Sequence, residues 1–577
     1  MKNWFGLFLL GCLLIVLPQS AIGDRKPTPT PAKTPQNNDV LLSIMRQELK
    51  RAQDALGKLD PAPYFVSYSV YDQDNATVFG SQGSLMNSTR VRRRFANVIV
   101  RVGNATLDNS HADSRGSAIN SGMLPLEDDP DAIAHELWQL TYSEYRKAAQ
   151  AYLNAKTSTQ VHAQEEDTSA DFSQESAQTH AGISSQLPPI DQAASEKLVK
   201  RVSNVLRNYP YVYSSVAYLT AQNTRFYLVS TEGSKITATN SMVRLAVQAQ
   251  TRADDGMDLM RFESFQANEM KGLPAETEIV ARVERMAVDL KNLRAAPLAD
   301  PFDGPALLSG RSAAVFFHEV LGHRLEGSHQ RGEREGQTFT KKLNQSVLPD
   351  FLSVIDDPTQ RSLNGTELSG WYEYDDEGVP ATKVDAIDKG ILKSFLMSRM
   401  PVRGFDKSNG HGRSQPGLMP IGRQGNLEVI SSNRVSESEL RHKFVDEIKK
   451  QGKPYGLYFA DIQGGFTLTQ RSLPQAFQVL PVMVWKVYAD GKPDELVRGV
   501  NIVGTPIAAL NRIVATGDTM EVFNGVCGAA SGSVPVSASA PAMLFSEIEV
   551  QKQPHSLERP PILPPPGFET TQSGGVQ

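Results

Sequence analysis

"FFHEVLGHRLEG", residues 316–327, sets two histidines and two glutamates in an apolar background near the middle of the 577-residue chain. On a helix that advances about 100° per residue, His318, Glu319, His323 and Glu326 fall in one polar stripe. The phenylalanines, valine and leucines fill the remaining arc. The stretch therefore predicts a helix with one face for packing and one face of candidate metal-ligating and catalytic groups.

The spacing of the two histidines is unusual for a metal site. Helical zinc peptidases place them four residues apart, whereas His318 and His323 are five apart, or about 140° around an undistorted helix. A widened turn of the π type would narrow this angle, and such turns are frequent at functional sites. Gly322 removes a side chain that would resist the distortion. We therefore favour a metal site over two ordinary histidines on an exposed helix.

The third metal ligand is less certain from the residues alone. A hydrolytic zinc site needs three protein ligands and an open position for water, and the candidates are Glu326, His329, His411 and Cys527. Glu326 lies too near on the same helix and suits an orienting role behind a ligand. His411 lies in a glycine-bearing loop. Cys527, in "FNGVCGAASG", has flanking glycines that let the backbone approach a metal closely.

The rest of the chain predicts an α+β fold in two domains. Residues 40–298 mix helix-like and strand-like segments and predict an N-terminal α/β domain, within which the polar stretch 156–189 predicts an exposed insertion or mobile loop. Residues 299–552 are mainly strand-like and predict a β-rich domain that carries the central metal-binding helix. Residues 553–577 are rich in proline and glycine and are expected to be disordered.

The first residues predict export. A lysine-bearing head and an apolar run precede Gly23, which predicts a signal peptide over 1–23 and a flexible linker over 24–39. The mature chain is then periplasmic or otherwise extracytoplasmic. An uncleaved membrane anchor, or lipid attachment at Cys12, is the alternative. Cleavage leaves Cys527 as the single cysteine, which excludes an internal disulfide.

Composition and charge narrow the function classes. Hydrophobic residues make up 40% of the chain, charged residues 21%, and the formal net charge is −5. These values are those of a soluble globular protein and disfavour a nucleic-acid partner. The basic run "TRVRRRF" at 89–95 lies within an alternating pattern and predicts a solvated strand edge.

Three segments together resemble the TldD/PmbA family of metalloproteases. They are "FFHEVLGHRLEG", then "YDDEGVPATKVDAIDKGILKSFL" at 374–396, and "GTPIAALNRIVATGDTMEVFNGVCG" at 504–528. The resemblance covers about residues 40–550 and is strongest from 305 to 530. The HExxxH element with a late Cys-Gly is typical of the TldD branch, whereas the companion TldE branch lacks these ligands.

The resemblance implies a function and a site. It implies one Zn²⁺ per chain held by His318, His323 and Cys527, with Glu319 as the general base that activates a zinc-bound water. It also implies a metallopeptidase that cuts unfolded or extended peptides bound as an added β-strand. Partners would be a second copy in a homodimer or a TldE-like subunit in a heterodimer. A non-catalytic zinc-binding partner subunit is the alternative function.

An oxyanion formed in such a reaction would need a further donor. His411 or Arg413 in "GHGRSQPG" are candidates, although we expect them to be ordinary loop residues. The chain departs from the family pattern in its predicted export, in the stretch 156–189, and in "GAASGSVPV" at 528–536 after the cysteine. These departures bear on compartment, partner and specificity rather than on the metal ligands.

Overall fold

The computed structural model describes residues 39–111, 118–161, 168–183, 187–331, 338–469, 476–556, 558–561, 563 and 566. The predicted signal peptide, Cys12 and all but the last residue of the predicted linker lie outside these ranges, so export and cleavage stay predictions. Within the described ranges, no helix combines the length and the apolar character needed to cross a membrane.

The first half of the described chain forms a mainly antiparallel sheet, in which only β4 pairs in parallel among the described strands, with helices on one face. Its helices are α1 (Val40–Leu56), α2 (Pro130–Val161), α3 (Gln192–Val205) and α4 (Glu276–Ala295). Its strands are β1 (Pro63–Ser81), β2 (Ser84–Val102), β3 (Ile119–Leu124), β4 (Thr179–Ala181), β5 (Ser214–Ser230), β6 (Lys235–Arg252) and β7 (Asp258–Ala267). Among the described residues they make a seven-stranded sheet in the order β3-β2-β1-β5-β6-β4, with β7 also on β6.

Alternation along the strands decides which face carries the helices. Val66, Tyr68 and Val70 of β1 share a core with α1 and α2, while Val78, on the same face, packs with α3 and α4. The opposite face is turned towards the second half of the chain, where the Tyr71 hydroxyl donates to Asp376 at 3.3 Å. Residues 89–93 of the basic run are exposed on β2, whereas Arg94 is buried and pairs with Asp72 at 3.1 Å.

The second half of the described chain is β-rich. Its helices are α5 (Gly310–Phe317), a π-helical turn (His318–Gly322), α6 (His323–Leu325), α7 (Glu437–Lys450) and α8 (Pro506–Leu510). Its longer strands begin with β8 (Phe302–Leu308) and β9 (Leu352–Asp356), and the short pair β10 (Ser362–Leu363) and β11 (Thr366–Glu367) follows. Next come β12 (Val384–Asp388), β13 (Ile391–Leu392), β14 (Gly412–Arg413), β15 (Ile421–Gly422) and β16 (Asn426–Ser431). The last are β17 (Tyr455–Thr467), β18 (Phe477–Tyr488), β19 (Glu495–Val497), β20 (Val500–Gly504), β21 (Ile513–Ala529) and β22 (Gly532–Lys552).

The large sheet of this half closes on itself around the central helix. Neighbouring strands run β22-β20-β18-β17-β8, and β8 pairs back with β22. Phe316 of α5 meets Phe477 and Phe545 edge-on inside this ring, with ring centroids 5.5 and 5.3 Å apart. The helix is thus anchored by its apolar face. The predicted α+β fold with a β-rich second half is confirmed, while the predicted boundary at 298/299 stays a prediction.

A short part of the stretch 156–189 is buried, where an exposed loop was expected. Residues 156–161 continue α2, and 168–183 pack against the rest of the chain. Phe172 is buried 4.9 Å from Phe65, and the buried Asp171 carboxylate accepts from Arg331 at 2.7 Å. Buried charge pairing and one aromatic anchor hold a segment whose polar composition predicted exposure.

Candidate metal centre

The central helix contains the widened turn that the histidine spacing predicted. Ser309 caps α5 by accepting from the Ser312 N–H at 3.2 Å, and α5 runs to Phe317. A π-helical turn then covers His318–Gly322, and the His323 N–H bonds the carbonyl five residues back, on His318. The extra residue in the turn brings the two imidazoles to a centroid separation of 5.1 Å.

Gly322 has a more specific role than the one predicted. A Cβ built at position 322 would lie 1.9 Å from the side-chain oxygen of Gln424. The Gln424 amide in turn donates to the His318 carbonyl at 3.3 Å, within the π turn. The glycine therefore makes room for a side chain that binds the widened turn, rather than simply allowing the backbone to deform.

His318, His323 and Cys527 are brought together by this turn and by β21. One donor atom from each lies within 4.8 Å of the others, and all three side chains are buried. The Cys527 sulfur is 3.4 Å from Nε2 of His323. Among the described residues, Nδ1 of His318 is buried and without a hydrogen-bond partner. Two imidazoles and a thiol that are buried and face one another fit a metal ion.

Electrostatics favour the protonation state that a metal requires of the cysteine. Burial alone would raise the pKa of the Cys527 thiol, but the imidazoles of His323 and His318 hold it well below its usual range. Burial opposes protonation of His323, yet the Cys527 sulfur and the Glu326 carboxylate raise its pKa well above the ordinary value. These interactions favour the thiolate form of Cys527, which is the form that binds zinc.

Glu319 lies beside this cluster without joining the three donors. Its carboxylate oxygen is 3.9 Å from Nε2 of His323. A Cβ built on Gly465 of β17 would be 3.1 Å from Cγ of Glu319, so this side chain lies against the β17 backbone beside the cluster. A carboxylate in this position can accept a proton from a water held at the cluster.

Glu326 takes the orienting position expected of it. Its carboxylate lies 3.3 Å from Nδ1 of His323 and 3.3 Å from Nε2 of His329, and it is fully buried. Arg423 donates to its other oxygen at 3.3 Å and to the Cys527 carbonyl at 2.8 Å. Glu326 thus fixes the His323 ring, while Arg423 links it to the strand that carries the cysteine.

The structure separates the other sequence candidates from the cluster. His411 is not in a flexible loop: it is fully buried, with Nε2 3.3 Å from Asp356 and Nδ1 near the Asn409 carbonyl. Arg413 donates to the Gln424 carbonyl at 2.8 Å. Both side chains are used in holding the "GRQGN" segment, 422–426, against the helix, so neither is placed as an oxyanion donor.

Sequence reasoning missed Arg423 and Gln424. They lie about 100 residues after the helix in chain order, and no spacing pattern connects them to it. The glycines on both sides of "RQ" were the available signal, because Gly425 packs against the Asp356 carboxylate and Gly422 against the Leu396 carbonyl. Glycines that pack closely against other groups on both sides of two long polar side chains indicate that the segment is buried in the protein core.

Comparison with known proteins finds similar sequences that carry metallopeptidase names. Residues 303–552 match the family described as PmbA/TldA metallopeptidase C-terminal domain. A protein of Archaeoglobus fulgidus named "Metalloprotease" is 31% identical over 40% of this chain and 49% of its own length. One of Methanothermobacter thermautotrophicus with the same name is 28% identical over 62% of this chain and 74% of its own length.

A third relative names the metal. The "Zinc metalloprotease TldD homolog" of Saccharolobus solfataricus is 25% identical over 43% of this chain and 51% of its own length. The chain thus spans only about half the length of several curated relatives that it matches, 49% of the first. The names of these relatives imply a metal and peptidase activity for those proteins.

Solved structures share the fold of most of this chain. A candidate modulator of a DNA gyrase from Thermotoga maritima aligns over 88% of this chain and 99% of its own, with a TM-score of 0.60 and 15% identity. TldE of Thermococcus kodakarensis aligns over 88% of this chain and 100% of its own, with a TM-score of 0.57 and 12% identity. Together, the match over residues 303–552 and the curated relatives show that this chain is similar to the PmbA/TldD family.

Proposed function

We propose that this chain is a zinc-dependent metallopeptidase that hydrolyses peptide bonds in unfolded or extended peptides. The observation that carries the proposal is the buried triad of His318, His323 and Cys527 with the Glu319 carboxylate at its edge. Two imidazoles and a thiolate suit zinc and leave a coordination position for water. Zinc held there would polarise the scissile carbonyl and lower the pKa of water towards neutrality.

Glu319 supplies the proton transfers in this proposal. Its carboxylate takes the proton of the attacking water and returns it to the leaving amine, which is the role a base at hydrogen-bonding reach can fill. Glu326 keeps the His323 ring in one orientation, and the buried surroundings exclude bulk water from the cluster. In this way Glu319 moves the proton, and Glu326 keeps the His323 ring oriented.

Substrate binding as an added strand is supported by the edge of β17. Its residues 457–459 pair with β8, which ends at Leu308, whereas 461–467 pair with β18 alone among the described residues. This stretch includes Gly465, against which Glu319 lies. An extended peptide that continues the line of β8 would present its backbone to Glu319 without requiring a particular sequence.

The test compares metal content with peptide cleavage in the purified chain. We expect about one zinc per chain in the wild type, loss of zinc in Cys527→Ala, and retained zinc without cleavage in Glu319→Gln. His135→Ala, at an exposed histidine of α2 that also precedes a glutamate, is the matched control and should keep both zinc and cleavage. Cleavage that survives in Glu319→Gln would overturn the mechanism.

The same experiment distinguishes a catalytic chain from a non-catalytic zinc-binding partner subunit. Zinc bound by the triad with no cleavage in the wild type would favour that role, and cleavage restored by a TldE-like chain would favour a heterodimer. Sedimentation of the purified chain separates a homodimer from a monomer that awaits another subunit.

A further inference from the structure

A separate cavity of about 170 Å³ lies between the inner face of β6 and β7 and the second half of the chain. Its size suits one side chain or a chain terminus rather than a long peptide segment. The lining comes from β6, β7, α5, β17, β18 and β21, and the residues used below are Arg244, Arg261, Arg311, Asp461 and Phe523.

Three arginines and a single aspartate line this cavity, which we call the arginine pocket. The Asp461 carboxylate accepts from Arg261 at 2.6 Å and from Arg311 at 3.2 Å. Arg261 is 6% exposed and also pairs with Asp289, outside the lining, at 3.3 Å, yet its buried Nε has no partner among the described residues. The guanidinium of Arg311 lies 5.3 Å over the Phe523 ring.

Arg244 leaves the pocket with an uncompensated positive charge. Its side chain is half-buried and, in the described part of the chain, no carboxylate pairs with it. Burial lowers the pKa of Arg244 from its ordinary value, with only Tyr218 acting in the other direction. A half-buried guanidinium without a counter-ion is costly unless a ligand supplies one.

The arginine pocket stands a short distance along the helix from the metal centre. Arg311 precedes His318 by seven residues, which places both on the same helix face at about 10 Å separation. The same two sites are connected along β17. Gly465 of this strand lies against the Glu319 side chain, and Asp461 and Ile462 of the same strand line the pocket. At about 3.3 Å per residue, an extended peptide along this edge covers that distance in about two to four residues.

We propose that the arginine pocket binds a carboxylate of the peptide substrate about two to four residues from the scissile bond. The proposal rests on the proposed function, because it assigns the pocket to a peptide lying on β17. The carboxylate could come from a free carboxyl terminus or from an Asp or Glu side chain. Guanidinium groups recognise either one through paired, charge-assisted hydrogen bonds.

Binding to the zinc-loaded Glu319→Gln chain tests this without catalysis. The ligands are a fluorescently labelled alanine-serine peptide with a free carboxyl terminus, its carboxamide, and carboxamides with Glu or Gln at successive positions. We expect the acid or one Glu peptide to bind about tenfold more tightly than its neutral counterpart, as for one charge-assisted hydrogen bond. Which of the two gains affinity identifies the carboxylate source.

The substitution Arg244→Gln should then reduce this acid-to-neutral ratio towards one. Arg285→Gln, an exposed arginine of α4 with the same change in charge, is the matched control and should keep the ratio. Should Arg244→Gln fail to fold by circular dichroism, Arg311→Gln tests the same pocket from the opposite wall.

Two results would overturn the proposal. One is equal binding of all acid and neutral peptides by the parent chain, and the other is a preference that persists in Arg244→Gln. Either result leaves the peptidase function standing if the wild type cleaves peptides in a Glu319-dependent manner. Bound peptide without any such cleavage would instead contradict the proposed function and not the pocket.

Discussion

Gln424 occupies the space that any side chain at Gly322 would need, since a Cβ there would come within 1.9 Å of the Gln424 oxygen. The pair couples the π turn of the central helix to a segment about 100 residues further along the chain. The donor side chains of His318 and His323 flank this contact. The geometry of the candidate metal centre therefore depends on a packing relationship as well as on the histidine spacing.

The first prediction concerns this contact. Gly322→Ala should lower the free energy of unfolding by about 1–3 kcal/mol, as expected for an overpacked core position, and should weaken zinc binding. The additional change Gln424→Ala should recover part of the stability by removing the clashing amide. Chemical denaturation and zinc competition titration of the two single variants and the double variant measure both effects. If the loss of unfolding free energy in the double variant equals the sum of the two single losses, the predicted clash between positions 322 and 424 is wrong.

A second prediction follows from the buried carboxylate behind His323. Glu326→Gln should reduce zinc affinity about 10- to 100-fold, because the neutral amide orients the imidazole less firmly and leaves Arg423 without its buried counter-ion. A chromophoric chelator in competition with the protein reports the affinity. Glu136→Gln on α2 serves as the control for the same chemical change. Unaltered zinc affinity in Glu326→Gln would show that His323 is held by other contacts.

The helix and its π turn could be predicted because the relevant information is local. The five-residue spacing of His318 and His323, and the glycine at position 322 before the second histidine, lie within twelve consecutive residues. Where the sequence pattern is strong over a short window, the local backbone follows it.

The surroundings of the site could not be predicted because they depend on long-range packing. Arg423 and Gln424 precede β16 and lie against the helix because β16 pairs within the large sheet. No local sequence pattern predicts that contact. The segment around Asp171 and Phe172 was misjudged for a related reason. Its composition is polar, but a buried carboxylate that meets Arg331 is satisfied by its partner and not by solvent.

A third prediction concerns that segment. Asp171→Asn should destabilise the fold by about 1–3 kcal/mol, because it removes the negative charge that Arg331 meets at 2.7 Å and His111 at 2.9 Å. Thermal unfolding measures the loss, and limited proteolysis should cut between residues 168 and 183 more readily. The control, Asp54→Asn, removes an exposed partner of Lys50 and should cost less than about 1 kcal/mol. Comparable losses in the two variants would show that Asp171 does not hold this segment against the rest of the chain.

A fourth prediction uses the pH dependence of stability. Burial raises the pKa of Glu144 from 4.5 to about 7, with Lys147 only partly opposing it. The folded state therefore holds this proton more tightly than the unfolded state, so stability falls as pH rises from 4.5 to about 7. Glu144→Gln should be more stable than the wild type at pH 8 by about 1–3 kcal/mol, with a smaller difference at pH 5. Urea unfolding at both pH values tests this, and an equal effect at both would contradict it.

The identity of the metal ligands is tested most directly by X-ray absorption at the zinc edge of the zinc-loaded chain. We predict one sulfur neighbour at about 2.3 Å together with imidazole nitrogens at about 2.0 Å, and loss of the sulfur contribution in Cys527→Ser. A wild-type spectrum with nitrogen and oxygen neighbours only, or one that Cys527→Ser leaves unchanged, would contradict a centre built from His318, His323 and Cys527.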